Sequence, residues 1–166
     1  MRTPSYWIKH LAILSIATMP ASVLARVNAA EITSIEPFKG QLVMEDIDSF
    51  WIDGAHVRVN GIDGPEINNK EEPAGNAAVV FLYTLVRGKT LECVWNGDMN
   101  HGRFITVCKL PDGRDLGEAV VRAGYAHDCK HFSSGRYASA EADAKRANRG
   151  LWGTGQMPPY TKRYCN

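Results

Sequence analysis

Arg58-Val59-Asn60-Gly61-Ile62-Asp63-Gly64-Pro65-Glu66 places a guanidinium and two carboxylates on either side of one Gly- and Pro-punctuated bend. Just before it, Val57 and Val59 alternate with His56, Arg58 and Asn60, the period-two pattern of a strand whose Arg side chain leaves the face opposite the valines. Hydrolysing a phosphodiester takes a hard cation held by oxygen ligands, a group that activates or places water, and fixed positive charge facing the phosphoryl oxygens. Asp63, Glu66 and Arg58 are candidates for these three tasks. Taken alone, the same residues also fit a solvated ion-pair cluster on a loop, so the reading depends on what the rest of the chain brings beside them.

The elements that must position this bend can be read from periodicity and turn chemistry. Three short strands are predicted at Gly40 to Met44, Ser49 to Ile52 and Ala55 to Asn60, with Asp53-Gly54 as the hairpin turn between the last two. Glu66 to Pro73 is polar and reads as a loop. Ala74 to Val86 is a predicted helix, with Ala78, Phe81, Leu82 and Leu85 at helical spacing and Gly88 as its stop. Leu91 to Trp95 and Arg103 to Leu110 form a second hairpin around the turn-rich Asn96-Gly97-Asp98. Asp115 to Ala123, ended by Gly124, and Arg136 to Asn148, ended by Gly150, complete three helices, and the tail with Pro158-Pro159 is irregular. Five strands with a helix inserted after the third give an α+β chain of the OB-fold type, a small Greek-key barrel.

The N-terminus carries Arg2, Lys9 and His10, then the apolar run Leu11 to Met19, then small residues around Ala25 and Ala29. This is the pattern of a cleavable secretory signal over 1–29, with cleavage after Ala25 or Ala29, leaving a single domain over 30–166 in a secreted or periplasmic protein. Pro20 and Arg26 interrupt the run, which disfavours an uncleaved membrane span. The whole chain has a formal charge of +1; without the leader's Arg2, Lys9 and Arg26 it has sixteen basic against eighteen acidic residues. Such a balance argues against a tight nonspecific DNA binder, so any handling of phosphates has to be local. Cys93, Cys108, Cys129 and Cys165 contain no Cys-x-x-Cys pair, which disfavours a zinc site. Export permits disulfides, and the first guess is Cys93 with Cys108 across the second hairpin and Cys129 with Cys165 on the tail, against the alternative of four reduced thiols.

Further motifs fall in order along the chain. Arg58 to Glu66 resembles the Arg-x-x-x-x-Asp-x-Pro-Glu signature of the thermonuclease family, the micrococcal or staphylococcal nuclease-like proteins. Asp46-Ile47-Asp48-Ser49 is similar to that family's Asp-Gly-Asp-Thr, and His101-Gly102-Arg103 to its Tyr-Gly-Arg. Gly124-Tyr125-Ala126, then Glu141 and Ala144 ahead of Gly150-Leu151-Trp152, also follow the family's order, so the resemblance spans about Gly40 to Trp152. It implies a calcium-dependent phosphodiesterase that cuts DNA or RNA, internally by expectation, as a monomer free of the membrane once the leader is removed. Asp48 and Asp63 would be the carboxylate ligands of one Ca2+, with the main-chain carbonyl of Gly64. Glu66 would accept a proton from the attacking water or position it, and Arg58 and Arg103 would grip the phosphate with planar forks.

Three departures from the family pattern bear on this expectation. Ile47 stands where the family has Gly, which would alter a turn needing positive φ. Ser49 replaces Thr, and His101 replaces a Tyr expected near the sugar or phosphate. In the loop after Tyr125, the chain has His127, Lys130, His131 and Phe132, where Phe132 or His131 could stack a base or Phe132 could belong to the core. Two other functions compete: a non-catalytic OB-fold module binding single-stranded nucleic acid, and an exported accessory protein of exopolysaccharide (succinoglycan) biosynthesis, a setting in which thermonuclease-like proteins also occur. A degenerate family member kept as a scaffold is a third, and depends on Ile47.

Overall fold

The structure is a computed structural model, and it describes residues 36–67, 74–158 and 165. The leader expected over 1–29 and most of the loop expected up to Pro73 lie outside the described residues. In chain order the elements are β1 (Phe38–Gly40), β2 (Leu42–Met44), β3 (Ser49–Ile52), β4 (Ala55–Val59), β5 (Ile62–Asp63), α1 (Gly75–Val86), β6 (Leu91–Asn100) and β7 (Arg103–Lys109). They continue with α2 (Leu116–Ala123), β8 (His127–Asp128), α3 (Lys130–Ser133), α4 (Ala138–Arg146) and α5 (Gly150–Thr154).

Six strands form one sheet in the order β1-β6-β7-β4-β3-β2. β1 and β2 sit at its two ends, yet one residue, Gln41, separates them in the chain. The sheet must therefore curl round until its ends meet, and β1 and β2 act as one bent strand that leaves a five-stranded barrel of the OB type without open edges. The predicted strand from Gly40 to Met44 is the second half of that bend, and the break falls beside Gly40, where a strand can turn a corner most easily. β3 and β4 join through Asp53 (φ 50) and Gly54 (φ 73), the two left-handed residues of the expected hairpin.

The second hairpin differs from the expectation. β6 runs on through Asn96-Gly97-Asp98 to Asn100, and the turn is His101-Gly102, with φ of 49 and 77. The Asn-Gly-Asp stretch is instead absorbed as a register shift between Trp95 and Met99, a bulge in β6. The arm thus gained carries Arg103, at the start of β7, back toward β3 and β4.

Helices close the barrel. Ala78, Leu82 and Val86 of α1 and Leu116, Val120 and Val121 of α2 pack on Phe50, Ile52, Val57, Val59 and Leu91 as one core. Asp115 caps α2 by accepting from the Glu118 N–H, and Gly124 (φ 84) ends it, as the sequence leads one to expect. The third predicted helix is shorter and is followed by another. α4 stops at Arg146, and Gly150 (φ 51) opens α5 where a helix end was expected. The reason is a close approach: a Cβ at Gly150 would lie 2.6 Å from the Ala123 carbonyl oxygen. The bends that follow α2 hold β8 and α3, which, like β5, are too short to show a period.

All four cysteines are bonded, Cys93 to Cys108 and Cys129 to Cys165. Cys93 and Cys108 are directly opposed in β6 and β7.

Candidate active site

The site is assembled at the end of the barrel where β3 begins and β4 ends. Ser49 is the cross-strand partner of Arg58, so the bend before β3 and the exit from β4 are neighbours. The Val59 N–H donates to the Asp48 carbonyl at 2.8 Å, and the Asp46 N–H to the Ser49 carbonyl at 2.7 Å. These two bonds hold the Asp46 to Ser49 bend against β4.

Arg58 lies at the centre. Its side chain is 16% exposed, and its Nη1 donates to Asp48 Oδ1 at 2.5 Å while Nη2 donates to Asp63 Oδ1 at 3.3 Å and to the Ile62 carbonyl at 3.2 Å. One planar fork therefore joins two carboxylates that are themselves buried. Burial alone would lower the affinity of this guanidinium for its proton. The attraction of Asp48 and Asp63, the Asp48 hydrogen bond and the more distant Glu66 outweigh that and raise its pKa above the ordinary value. Arg103 reaches the same group through Ser49: its Nη1 donates to Ser49 Oγ at 3.0 Å, and Ser49 Oγ donates to Asp48 Oδ1 at 3.0 Å.

Asp46 and Glu66 form a second, coupled layer. Asp46 is buried, and its pKa is pushed up to about 8 by burial, by its hydrogen bond with Glu66 and by repulsion from Asp48, against the opposing Ile47 N–H. The shift favours the protonated form of Asp46, and its hydrogen bond with Glu66 holds the two side chains together. Asp46 is a site residue that motif reading did not single out, although the Asp-x-Asp spacing carried the signal.

The geometry bears on two of the departures, Ile47 and His101. Ile47 does not occupy a left-handed turn, since its φ is not positive. Its side chain, fully buried, fills the space over Gly64, where a Cβ would come within 2.1 Å of Ile47 Cγ2. The bulk that the bend gains at position 47 is matched by the lack of a side chain at Gly64, whose N–H faces Asp48 Oδ2 at 3.3 Å. His101 is a turn residue, and its left-handed backbone is needed by the hairpin.

The arginines open onto a groove of about 790 Å3. Asn60, Asn100 and His101 line it together with His131, Phe132, Cys129 and Cys165. Phe132 is 51% exposed and set edge-to-face with His131, so it is not a core residue. His127, in contrast, is buried, with Nδ1 2.9 Å from Glu141 Oε1 and Nε2 2.7 Å from the Pro158 carbonyl.

Asp48, Asp63, Arg58, Arg103 and Glu66 are therefore brought to one place, with Gly64 between Asp63 and Glu66. The donors shown here, two buried carboxylates with no sulfur or imidazole between them, suit a hard cation. Among the described residues no set of three or more acidic, His or Cys side chains gathers as a metal cluster, so water would have to supply the remaining ligands of any such ion.

Residues 56–154 match the family described as staphylococcal nuclease homologue. The chain is 28% identical over 151 residues to the succinoglycan biosynthesis protein ExoI of Rhizobium meliloti (strain 1021), an alignment covering 86% of this chain and 79% of that protein. It is 30% identical over 133 residues to the probable endonuclease LCL3 of Schizophyllum commune, covering 66% of this chain and 46% of the relative, so it spans less than half of that protein's length. To an uncharacterized endonuclease of Escherichia coli O157:H7 it is 27% identical over 110 residues, 65% of this chain and 70% of the relative. The family match contains Arg58, Asp63, Gly64, Glu66 and Arg103, whereas Asp46 and Asp48 precede it.

Proposed function

The chain belongs to the staphylococcal nuclease homologue family, and from that membership we propose that it is an exported, calcium-dependent nuclease that cuts phosphodiester bonds within DNA or RNA. The observation that carries the reading is the Arg58 fork, which spans the Asp48 and Asp63 carboxylates while Arg103 reaches the same cluster through Ser49.

Asp48, Asp63 and the Gly64 carbonyl would hold Ca2+. A cation bound there would supply Lewis-acid stabilisation of a phosphoryl oxygen and a lowered pKa for bound water. Arg58 and Arg103 donate to the phosphoryl oxygens from two sides; the guanidinium has five N–H groups, so Arg58 can keep its carboxylates and still face a phosphate. Glu66 accepts a hydrogen bond from the attacking water and orients it. A carboxylate of ordinary basicity is a weak base at neutral pH, so placing water is the larger part of its role. The groove beyond the arginines, with Phe132 exposed, receives the chain on one side of the cut.

The test is cleavage of DNA and RNA by the oxidised protein in calcium, after chelation by EDTA, and after calcium is restored. The proposal expects loss and recovery of cleavage; chelator-resistant cleavage, or none in calcium, contradicts it. A second reading is favoured by one observation: ExoI, a protein named for succinoglycan biosynthesis, has the broadest coverage of the three relatives. A role in exopolysaccharide production would show as turnover of, or binding to, an acidic polysaccharide by a protein inert on nucleic acid.

A further inference from the structure

β5, which carries Asp63, lies outside the six-stranded sheet and pairs with β8, Ile62 opposite Asp128 and Asp63 opposite His127. The Cys129 N–H donates to the Gly61 carbonyl at 2.9 Å. Gly61 is packed so closely on α3 that a Cβ there would lie 2.7 Å from Ser133 Cβ. The strand bearing Asp63 is thus held in place by residues 127–133. Among the described residues, that segment is in turn fastened to the C-terminal part of the chain by His127 to the Pro158 carbonyl and by Cys129 to Cys165.

The two disulfides differ in placement. All four cysteines are buried, Cys129 and Cys165 at 2% and 3% exposure, but Cys93 and Cys108 lie inside the barrel core, whereas Cys129 and Cys165 line the groove beside Arg58 and Arg103. We propose that the Cys129–Cys165 disulfide is a redox-dependent positioning strap: oxidised, it fixes the β5–β8 pair and the groove wall; reduced, it leaves Asp63 and the wall loosely placed and the site weakened. The inference rests on the nuclease reading of the site. Reduction breaks the one S–S bond with two electrons and two protons from a dithiol, giving the Cys129 and Cys165 thiols and the reductant's own disulfide. A nuclease so built would be held back among the nucleic acids of a reducing compartment and become competent in an oxidising one.

The experiment treats the full chain with a dithiol under native conditions, with mass mapping to select samples in which Cys129 and Cys165 are free and Cys93–Cys108 is intact. Calcium affinity is measured by calorimetry, the KM for single-stranded DNA by cleavage, and amide exchange over 61–63 and 127–129, all well below the melting temperature. Reduction should speed that exchange, weaken calcium binding and raise the KM by roughly tenfold, as loss of a supporting shell does, and reoxidation should restore all three. A C165S variant should match the reduced protein and ignore reductant; should it not fold, the reduction and reoxidation cycle of the natural chain decides. Unchanged exchange, calcium affinity and KM in the reduced protein overturn the strap. Oxidised protein that cuts nothing in calcium overturns the nuclease reading instead, while a change in exchange rates still supports the strap.

Discussion

Arg58 and Arg103 face the same cluster through different contacts, and this separates their effects. Arg58 neutralises two buried carboxylates, so Arg58→Ala should lower stability by about 3 kcal/mol, because removing one partner leaves uncompensated buried charge, as well as abolishing cleavage. Arg103 touches Asp48 only through Ser49. Arg103→Ala should keep its melting temperature while turnover falls by about 10²- to 10³-fold through loss of a fixed donor to the transition state; wild-type turnover would remove Arg103 from the mechanism. Asp46 gives a prediction in pH. Its pKa of 3.8 in the unfolded chain becomes about 8 when folded. The folded state therefore binds more protons between those values, and the contribution of Asp46 is complete below pH 3.8 and lost as pH rises through about 8. Melting temperatures measured in chelator should fall across that window for the natural protein, and Asp46→Asn should remove that part of the slope; an unchanged slope would show that Asp46 ionises normally.

At the scale of elements, the bend before β3 and the exit from β4 are matched in shape. Gly64→Ala should cost about 1–3 kcal/mol by overpacking against Ile47, and Ile47→Ala in the same chain should return part of that loss. Additive losses in the double-mutant cycle would mean that the two positions do not couple. The pairing of Ile47 with Gly64 explains why the motif was legible but the reason for its departure was not: it is a contact between residues brought together by the barrel, and sequence spacing does not record it. Turn chemistry was legible where two left-handed residues were needed and present, as at Asp53-Gly54. It misled at Asn96-Gly97-Asp98, where cross-strand pairing with β7 kept the strand going and turned the signal into a bulge. β5, β8 and α3 were not legible because two- and four-residue elements have no period, and these are the elements that hold Asp63.

Over the whole molecule, the barrel closes because β1 and β2 are one bent strand, and closure is what brings the Asp48 bend, the Arg58 strand and the Arg103 arm to one end. The Cys93–Cys108 bridge ties two strands of that barrel, and its loss should cost about 3 kcal/mol on a chain-entropy estimate for a loop of this length. Denaturant melts of a Cys93→Ala, Cys108→Ala chain measure it, and an unchanged midpoint would make the bridge incidental. The near-neutral charge is consistent with a molecule that meets phosphate at one local site, not through a broad field. The most direct test of that site is the rate of DNA hydrolysis by the oxidised protein as calcium is raised from zero, with Asp48→Ala alongside. The natural chain should show no cleavage without calcium and a saturable rise with it, and the variant should need far more calcium to reach half its maximum. Equal calcium curves for the two proteins, or hydrolysis that persists without calcium, would contradict the assignment of Asp48 and Asp63 to a single cation site.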